Sequence, residues 1–321
     1  MVDTRSLLIV DHLKTWFPVK RGMFSREQNY IRAVDGVSLD LFPGETLGLV
    51  GESGCGKTTL GRTLLGLEPV TSGEIFFKDQ ALHKLRRKQM NRLRQKIQVI
   101  FQDPLSSLNP RMSVMDIVTE GLVNFKRLEV SKTADALRLV KEVGLSDDAI
   151  YRYPHEFSGG QRQRINIARA ISLRPEFIIC DEAVSALDVS IQAQVINLLI
   201  SLQERYQLSY LFISHDLSVV SNIADRLAVM YLGQIFEKGS TADIIHKPLH
   251  PYTRMLLAAV PVPGEDRRLE TAEVKGEAPS AANPPAGCRF HPRCPDAMPV
   301  CRETPPELRR FGDREVLCHL Y

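Results

Sequence analysis

Short apolar runs alternate with helical patterns along this chain of 321 residues, and the alternation predicts its main elements. A strand shows either apolar–polar alternation or a short apolar run, whereas a helix repeats its apolar positions every three to four residues. Strands that alternate with helices indicate an α/β fold with a largely parallel sheet, which binds ligands at its carboxyl edge. The predicted strands are 5–20 at a sheet edge, 34–41, 46–50, 73–79 with its turn, 97–101, 177–180, 208–213, 228–232 and 234–237, and the predicted helices are 59–65, 81–96, 158–171 and 189–205.

Two segments depart from this alternation. Residues 113–150 contain only helical patterns, which predicts a helical subdomain of about 103–172 inserted into an α/β domain. After residue 260 prolines accumulate and no periodic element is predicted, so this extended segment needs another constraint to hold it. The predicted organisation is a domain at 1–260 followed by a proline-rich extension at 261–321.

A glycine-rich loop lies between a predicted strand and a predicted helix. Residues 51–58 match G-x-x-x-x-G-K-[ST], the pattern of a loop that binds nucleotide phosphates. Glycines let the backbone adopt positive φ and approach the phosphates, which successive N–H groups and the helix N-terminus attract. Lys57 is expected to meet the β- and γ-phosphates, and the Thr58 hydroxyl to hold Mg²⁺. The predicted ATP-binding residues of this loop are Gly51, Glu52, Ser53, Gly54, Cys55, Gly56, Lys57, Thr58 and Thr59.

The composition is that of an ordinary soluble globular protein, at 44% hydrophobic and 25% charged residues. A net charge of +3 does not argue for a nucleic-acid partner, although it suits a surface near anionic lipid. No apolar run approaches the roughly 18–20 residues that span a bilayer, and the N-terminal residues lack the pattern of a secretory signal. We therefore expect a protein that is cytoplasmic or attached to a membrane from its cytoplasmic side.

Five further motifs follow the phosphate loop. They are Gln102 after a strand, Phe-Ser-Gly-Gly-Gln at 157–161, Asp181-Glu182 at the end of an apolar strand, Ser-Ala-Leu-Asp at 185–188, and His215 after the next strand. Each is weak alone, but in this order they resemble the nucleotide-binding domain of ABC transporters over about residues 5–260. The resemblance implies an α/β fold, the P-loop NTPase ABC cassette. It has a RecA-like mixed sheet, an antiparallel β subdomain and an inserted helical subdomain, here with a Cys-rich C-terminal extension.

The resemblance implies that these motifs hydrolyse ATP. Asp181 is expected to hold Mg²⁺ through water opposite Thr58, and Glu182 to orient and activate the attacking water. His215 is expected to contact the γ-phosphate and hold the transition-state geometry. Gln102 is expected to bind Mg²⁺ or water and to report nucleotide occupancy to membrane subunits.

The glycine pair of the second motif is expected to form another anion site, because the N–H groups of Ser158, Gly159 and Gly160 precede a helix. The family implies that this site caps ATP bound to a partner cassette, so that two ATPase subunits close on two nucleotides and part after hydrolysis. The alternative is a helix N-cap without a ligand, for which Ser158 is well suited. Gln161 completes the motif.

Several predictions at this site carry an alternative. Phe17, or its neighbour Trp16, is expected either to stack on adenine or to pack as a strand aromatic. Asp188 is expected to contact nucleotide, but Ala183 stands where the family usually has proline, which predicts a looser turn towards Asp188. Phe157 replaces the more common leucine with a residue of similar bulk.

Three runs narrow the resemblance to bacterial dipeptide and oligopeptide importers: LKTWFPVKRGMF at 13–24, HPYTRMLLAAVP at 250–261 and NPPAGCRFHPRCP at 283–295. This implies an ATPase subunit bound peripherally at the cytoplasmic face of the inner membrane, which energises peptide uptake. The implied partners are a second ATPase subunit, more often a different one, two transmembrane permease subunits and a periplasmic substrate-binding protein. Nickel and opine importers are alternatives, because the ATPase subunit does not touch the cargo.

Two other classes of protein compete with an importer. Soluble ABC ATPases of DNA repair or translation usually carry two cassettes or a long coiled-coil insertion, whereas this chain has one phosphate loop and no long heptad run. A phosphate-loop binding module without hydrolysis is a third class, and the carboxylate of Glu182 argues against it.

Four of the six cysteines lie close to the C-terminus, with spacing C-x5-C-x6-C-x16-C. In a reducing compartment, clustered cysteines indicate a metal more often than a disulfide. Four thiolates can hold an iron–sulfur cluster or Zn²⁺, and a metal would constrain a tail too poor in apolar residues to fold alone. The resemblance to peptide-importer ATPases implies a [4Fe–4S] cluster, with Zn²⁺ second and free thiols third. The predicted ligands are Cys288, Cys294, Cys301 and Cys318.

Overall fold

The computed structural model describes residues 6–19, 29–259 and 279–321. The chain forms two compact units, one from Met1–Leu41, Thr46–Lys84 and Ser214–Tyr321 and the other from Phe42–Glu45 and Leu85–Ile213. The polar residues 20–30 predict a hairpin loop, of which 20–28 lie outside the described residues and the last two belong to β2. The predicted boundary at 260–261 also lies outside them, so the division into two domains stays a prediction. The strands are β1 (Leu8–Val19), β2 (Asn29–Leu41), β3 (Thr46–Val50), β4 (Ser72–Phe77), β5 (Gln80–Ala81), β6 (Ile97–Ile100), β7 (Phe177–Asp181), β8 (Ser209–Ser214), β9 (Arg226–Tyr231), β10 (Gln234–Ser240), β11 (Leu308–Phe311) and β12 (Arg314–Leu317).

The helices agree with the predicted alternation. The basic stretch at 81–96 contains only a 3₁₀ turn, Leu82–Lys84, and a short α-helix, so it is less helical than its pattern suggested. The helices are α1 (Lys57–Leu64), α2 (Arg87–Leu93), α3 (Pro104–Ser107), α4 (Val114–Asn124), α5 (Lys132–Glu142), α6 (Gly159–Ile171), α7 (Val189–Tyr206), α8 (Leu217–Ser221), α9 (Thr241–His246), α10 (Pro251–Ala258) and α11 (Val300–Glu303). Within the described residues, no helix is both long and apolar enough to cross a bilayer.

The first unit contains two groups of strands. One is an antiparallel sheet in the order β2-β1-β4-β5, and the other has the order β11-β12-β10-β9-β3. In the second group β3 pairs in parallel with β9, and the remaining neighbours are antiparallel. All five residues of β3 are buried, so this strand holds the start of the phosphate loop firmly.

The prediction that residues 5–20 form an edge strand is wrong in one respect. β1 is a strand, but it pairs with β2 on one side and with β4 on the other. Leu13 and Val34 are fully buried, because this sheet buries one face. Strand order depends on partners distant in sequence, which local alternation does not report.

The C-terminal extension is more regular than predicted. Instead of a wholly extended tail, its last part forms a hairpin of β11 and β12, and β12 pairs with β10 through Glu237–Val316 and Lys238–Glu315. These strands were not predicted for two reasons: each has only four residues, and the segment around them is rich in proline. The hairpin extends the sheet of the first unit.

The second unit contains β8, β7 and β6 as parallel neighbours, with the helices between them. Helices α4, α5 and α6 bury Val118, Leu139 and Ile165 completely, which gives the predicted helical region its own apolar core. Parallel strands end at the same edge, so residues that follow β6 and β7 come close together.

Candidate functional site

The phosphate loop joins β3 to α1, as its sequence predicts. Gly56 is the N-cap of α1 with φ 110°, and a Cβ there would lie 2.0 Å from the carbonyl oxygen of Ala33. At Gly51 a Cβ would lie 2.1 Å from the carbonyl oxygen of Met230. Only glycine fits at these two positions, because the neighbouring backbone occupies the space of any side chain.

Lys57 lies inside this loop. Its side chain is buried, and its Nζ donates to the carbonyl oxygens of Gly51, at 2.7 Å, and Glu52, at 2.9 Å. Burial raises the pKa of the Cys55 thiol, which keeps this buried cysteine uncharged beside the ammonium group. The loop thus encloses one positive charge at the start of α1. Ser53 and Gly54 are exposed, and Thr58 and Thr59 are half-buried in the first turn of the helix.

Glu52 is held by residues from far along the chain. Its N–H donates to the hydroxyl of Tyr252 at 2.9 Å. Its carboxylate accepts two hydrogen bonds from the guanidinium of Arg293, at 2.7 and 2.9 Å. Lys57 and the backbone N–H of Cys55 both donate to the carbonyl of Glu52. Every polar group of Glu52 thus has a partner, and two of the four partner residues come from beyond residue 250.

The second unit brings Gln102 and Glu182 together. Asp181 is the last residue of β7 and is buried, and Glu182 follows it with φ 48°, a left-handed conformation that is rare for a residue with a side chain. The N–H of Glu182 donates to the carbonyl of Ile213 at 3.0 Å, which fixes this backbone. Gln102 Nε2 donates to Glu182 Oε2 at 2.7 Å. Two residues that are 80 positions apart therefore share one site.

The turn after Glu182 is fixed without a proline. Ala183 is buried, the Ser185 hydroxyl donates to the carbonyl of Glu182 at 3.0 Å, and Gln192 Nε2 donates to the carbonyl of Val184 at 2.9 Å. Asp188 is exposed at the N-cap position of α7.

The predicted glycine motif opens α6. Ser158 is the N-cap, and its hydroxyl accepts the N–H of Gln161 while its own N–H donates to Gln161 Oε1 at 3.0 Å. This capping box satisfies two of the groups that a helix start leaves open. Ser158 and Gly159 are exposed, whereas a Cβ on Gly160 would lie 2.5 Å from Ile191 Cγ2, so α7 packs tightly here.

His215 and the two aromatic residues lie in the first unit. His215 is exposed directly after β8. Trp16 and Phe17 are both half-buried in β1. The indole N–H of Trp16 donates to Asp35 at 3.1 Å, and the cationic groups of Lys14 and Arg32 lie 5.3 and 4.9 Å from its ring centroid. These contacts engage Trp16 within the protein, so adenine stacking remains a prediction for Phe17.

Known proteins match this chain along nearly its whole length. The ABC transporter family matches residues 34–185, and the C-terminal region of oligopeptide/dipeptide transporters matches residues 236–301. The oligopeptide transport ATP-binding protein AppF of Bacillus subtilis is 50% identical over 325 residues, which are 99% of this chain and 98% of that protein. The chain belongs to the oligopeptide/dipeptide branch of the ABC transporter family. It is an ABC ATPase.

Further relatives of this ABC ATPase support the same fold. The dipeptide transport ATP-binding protein DppF of Escherichia coli is 49% identical over 97% of this chain and 93% of that protein. The structure of cbiO1 from Clostridium perfringens, part of the ABC transporter complex cbiONQ, aligns at 26% identity with a TM-score of 0.66, covering 76% of this chain and 92% of that one. The predicted ABC cassette fold is confirmed.

The predicted metal site of this ABC ATPase is not confirmed. Among the described residues, no group of three or more His, Cys, Asp and Glu side chains is placed to hold a metal ion. All four cysteines of the extension are free thiols, and the backbone N–H of Cys288 donates to the carbonyl of Cys301 at 2.8 Å. Burial raises the pKa of both Cys288 and Cys294 to about 11, with smaller contributions from the charge of other thiols and, for Cys294, of Asp296. Burial also raises the pKa of Cys318, and the charge of Cys301 adds to it.

Sequence reasoning missed the residues that support the phosphate loop. Phe290 is fully buried between Tyr231 and Tyr252, with ring centroids 5.4 Å apart in each pair. This cluster fixes the turn that presents Arg289 and Arg293. The sequence offered one indication of this support. Two arginines lie within the cysteine-rich run, and the phosphate loop contains an acidic residue, Glu52, to which no partner was assigned.

Proposed function

We propose that this chain is the ATP-hydrolysing subunit of an importer of di- and oligopeptides. The observation that carries the proposal is the hydrogen bond from Gln102 to Glu182, because it holds a carboxylate directly after the acidic end of a parallel strand. A carboxylate in that position orients and activates a water molecule. The names of relatives that match almost the whole chain support peptides as cargo.

In this proposal the loop 51–59 binds the phosphates of ATP. The backbone N–H groups and the start of α1 attract the phosphate charge, and Lys57 leaves its carbonyl partners to contact the β- and γ-phosphates. Phe17 stacks on adenine, and His215 contacts the γ-phosphate.

Thr58, Asp181 and Gln102 offer oxygen atoms, which Mg²⁺ prefers as ligands. When bound, Mg²⁺ supplies positive charge that neutralises the developing charge on the phosphates. Glu182 accepts the proton of the attacking water, and Gln102 fixes the direction of its carboxylate. The start of α6 at Ser158, Gly159 and Gly160, with Gln161 and Asp188, serves the nucleotide of a second cassette.

The test of the ATPase proposal is Glu182→Gln in the assembled transporter. The amide keeps the hydrogen-bonding shape but cannot accept a proton, so we expect nucleotide binding to persist while phosphate release falls by roughly a hundredfold or more. Lys57→Ala is the control that should lose binding itself. Phosphate release at the wild-type rate from the Glu182→Gln assembly would contradict the assignment.

The partners in this proposal are a second ATPase subunit, two transmembrane permeases and a periplasmic substrate-binding protein, with this chain peripheral at the cytoplasmic face of the inner membrane. Cells that lack the gene should lose uptake of a labelled dipeptide or tripeptide, and the wild-type gene should restore it whereas the Glu182→Gln gene should not. Loss of nickel uptake with intact peptide uptake would overturn the cargo and leave the ATPase assignment intact.

We further propose that Cys288, Cys294, Cys301 and Cys318 hold a [4Fe–4S] cluster, with Zn²⁺ as the alternative. The backbone hydrogen bond from Cys288 to Cys301 supports this, because it brings two of the four cysteines together. The four thiols would approach one another when the metal binds, because metal binding and folding are coupled. Anaerobically purified protein should contain iron and absorb near 400 nm. Stoichiometric zinc without iron, in aerobic and anaerobic preparations alike, would overturn the cluster.

A further inference from the structure

Glu52 brings a negative charge into the loop that the proposed function assigns to phosphate. It is the first variable position after Gly51, and its side chain is 29% exposed. An unpaired carboxylate there would repel a triphosphate, since like charges a few ångströms apart oppose each other strongly where water is partly excluded. The charge therefore needs a partner that remains when nucleotide binds.

Arg293 of the C-terminal extension provides that partner. Its guanidinium binds both carboxylate oxygens of Glu52, at 2.7 and 2.9 Å, and its side chain is only 6% exposed. Such a bidentate pair fixes direction as well as charge. The pair with Glu52 raises the pKa of Arg293, so the guanidinium stays charged. The Arg293 nitrogen that lies 2.7 Å from Glu52 also donates a hydrogen bond to the hydroxyl of Tyr231, at 3.4 Å.

Arg293 is itself held in place. Its N–H donates to the carbonyl of Phe290 at 3.0 Å, and Phe290 is fully buried among aromatic rings. Four residues earlier, Arg289 donates to the carbonyl of Leu232 and forms a buried ion pair with Asp35. The turn that carries Arg293 is thus rigid, so the position of the guanidinium is set before any ligand binds.

We propose that Arg293 is a positioning residue of the phosphate loop, through which the C-terminal extension neutralises Glu52 and holds the loop open to ATP. The extension then determines nucleotide affinity in this ATPase. This inference rests on the proposed function, because it assigns ATP to the loop.

The test measures equilibrium binding of MgATP to the full chain. We expect Arg293→Ala to weaken binding roughly tenfold. The double variant Arg293→Ala/Glu52→Gln should bind more tightly than Arg293→Ala and recover most of the lost affinity, because no unpaired carboxylate remains. Arg293→Lys should fall between wild type and Arg293→Ala, because lysine keeps the charge but cannot bind both oxygens.

A purely structural role for Arg293 predicts a different pattern. Loss of packing would persist in the double variant, since Glu52→Gln restores no contact to the extension. Asp296→Ala is the matched control, because it removes the exposed ion pair of the extension with Arg254 but does not touch the loop. Its affinity should equal that of wild type.

The outcomes separate this inference from the proposed function. If wild type binds ATP, Lys57→Ala does not, and Arg293→Ala binds as wild type does, the positioning role is overturned and the ATPase remains. If Arg293→Ala is weaker but Glu52→Gln does not rescue it, the charge argument is wrong. If wild type binds no ATP, the proposed function fails first.

Discussion

At the scale of single residues, two glycines of the loop 51–58 are required for different reasons, one for backbone conformation alone and the other also for lack of space. Gly56 combines positive φ with backbone in the space of a side chain, whereas Gly54, at φ 78°, has open space around it. We therefore expect Gly54→Ala to cost only about 1–2 kcal/mol of conformational strain. Gly56→Ala should cost several kcal/mol more, because Ala33 or the loop must shift. Urea unfolding of the two variants checks this, and equal losses would contradict it.

His250 gives a pH-dependent prediction at the same scale. Its Nδ1 accepts the N–H of Tyr252 at 3.0 Å, and burial lowers its pKa to about 3. Between pH 6.5 and 3 the unfolded state binds a proton that the folded state refuses, so the stability that the neutral ring contributes is complete above 6.5 and falls as pH falls. His250 is the N-cap residue of α10. In the variant His250→Asn the amide oxygen can still accept a hydrogen bond at this position, but the side chain cannot titrate.

The free energy of unfolding of wild type should therefore decline relative to His250→Asn by about 1.4 kcal/mol per pH unit below 6.5. Denaturant melts of both proteins at pH 7.5, 6.0 and 5.0 give the difference. A constant difference across that range would show that His250 does not titrate on unfolding.

Motif residues were predictable because each follows a strand or opens a helix. Gln102 and Glu182 lie at the ends of parallel strands, so their meeting follows from the pattern. Arg293 was not predicted as a site residue, because its partner is 241 residues away and no sequence pattern pairs the two positions. Long-range ion pairs of this kind depend on the whole fold.

At the scale of elements, the hairpin of β11 and β12 ties the extension to β10. Arg314 in β12 pairs at 2.9 Å with Glu237 of β10, whose side chain is fully buried. Removing one partner of a buried pair leaves the other charge without compensation. The hairpin that the sequence pattern did not predict thus contributes a buried ion pair whose loss should be costly for stability.

Arg314→Ala should therefore lower the free energy of unfolding by about 3 kcal/mol. Arg310→Ala is the control, because Arg310 is 72% exposed and its pair with Glu315 should be worth less than about 1 kcal/mol. Urea unfolding gives both values. Equal losses would mean that the N–H groups of Leu249 and His250, which also bind Glu237, suffice for its charge.

At the scale of the whole molecule, an importer subunit should travel with its partners. We expect the protein in cell lysates to sediment with membranes and to leave them only with detergent, together with two polytopic proteins. A protein that stays in the supernatant at physiological salt and purifies alone would favour a soluble ABC ATPase. A strain that lacks both permeases is the control, and there the protein should lose its membrane fraction.

The first unit is built from segments on either side of the second, and this has a consequence for biosynthesis. The ribosome makes Lys57 long before Tyr252 and Arg293, which hold Glu52. A nascent chain therefore displays the phosphate loop without its final supports, and those supports arrive only as translation nears residue 293. Maturation of the nucleotide site is in this way delayed until nearly all of the polypeptide has been made.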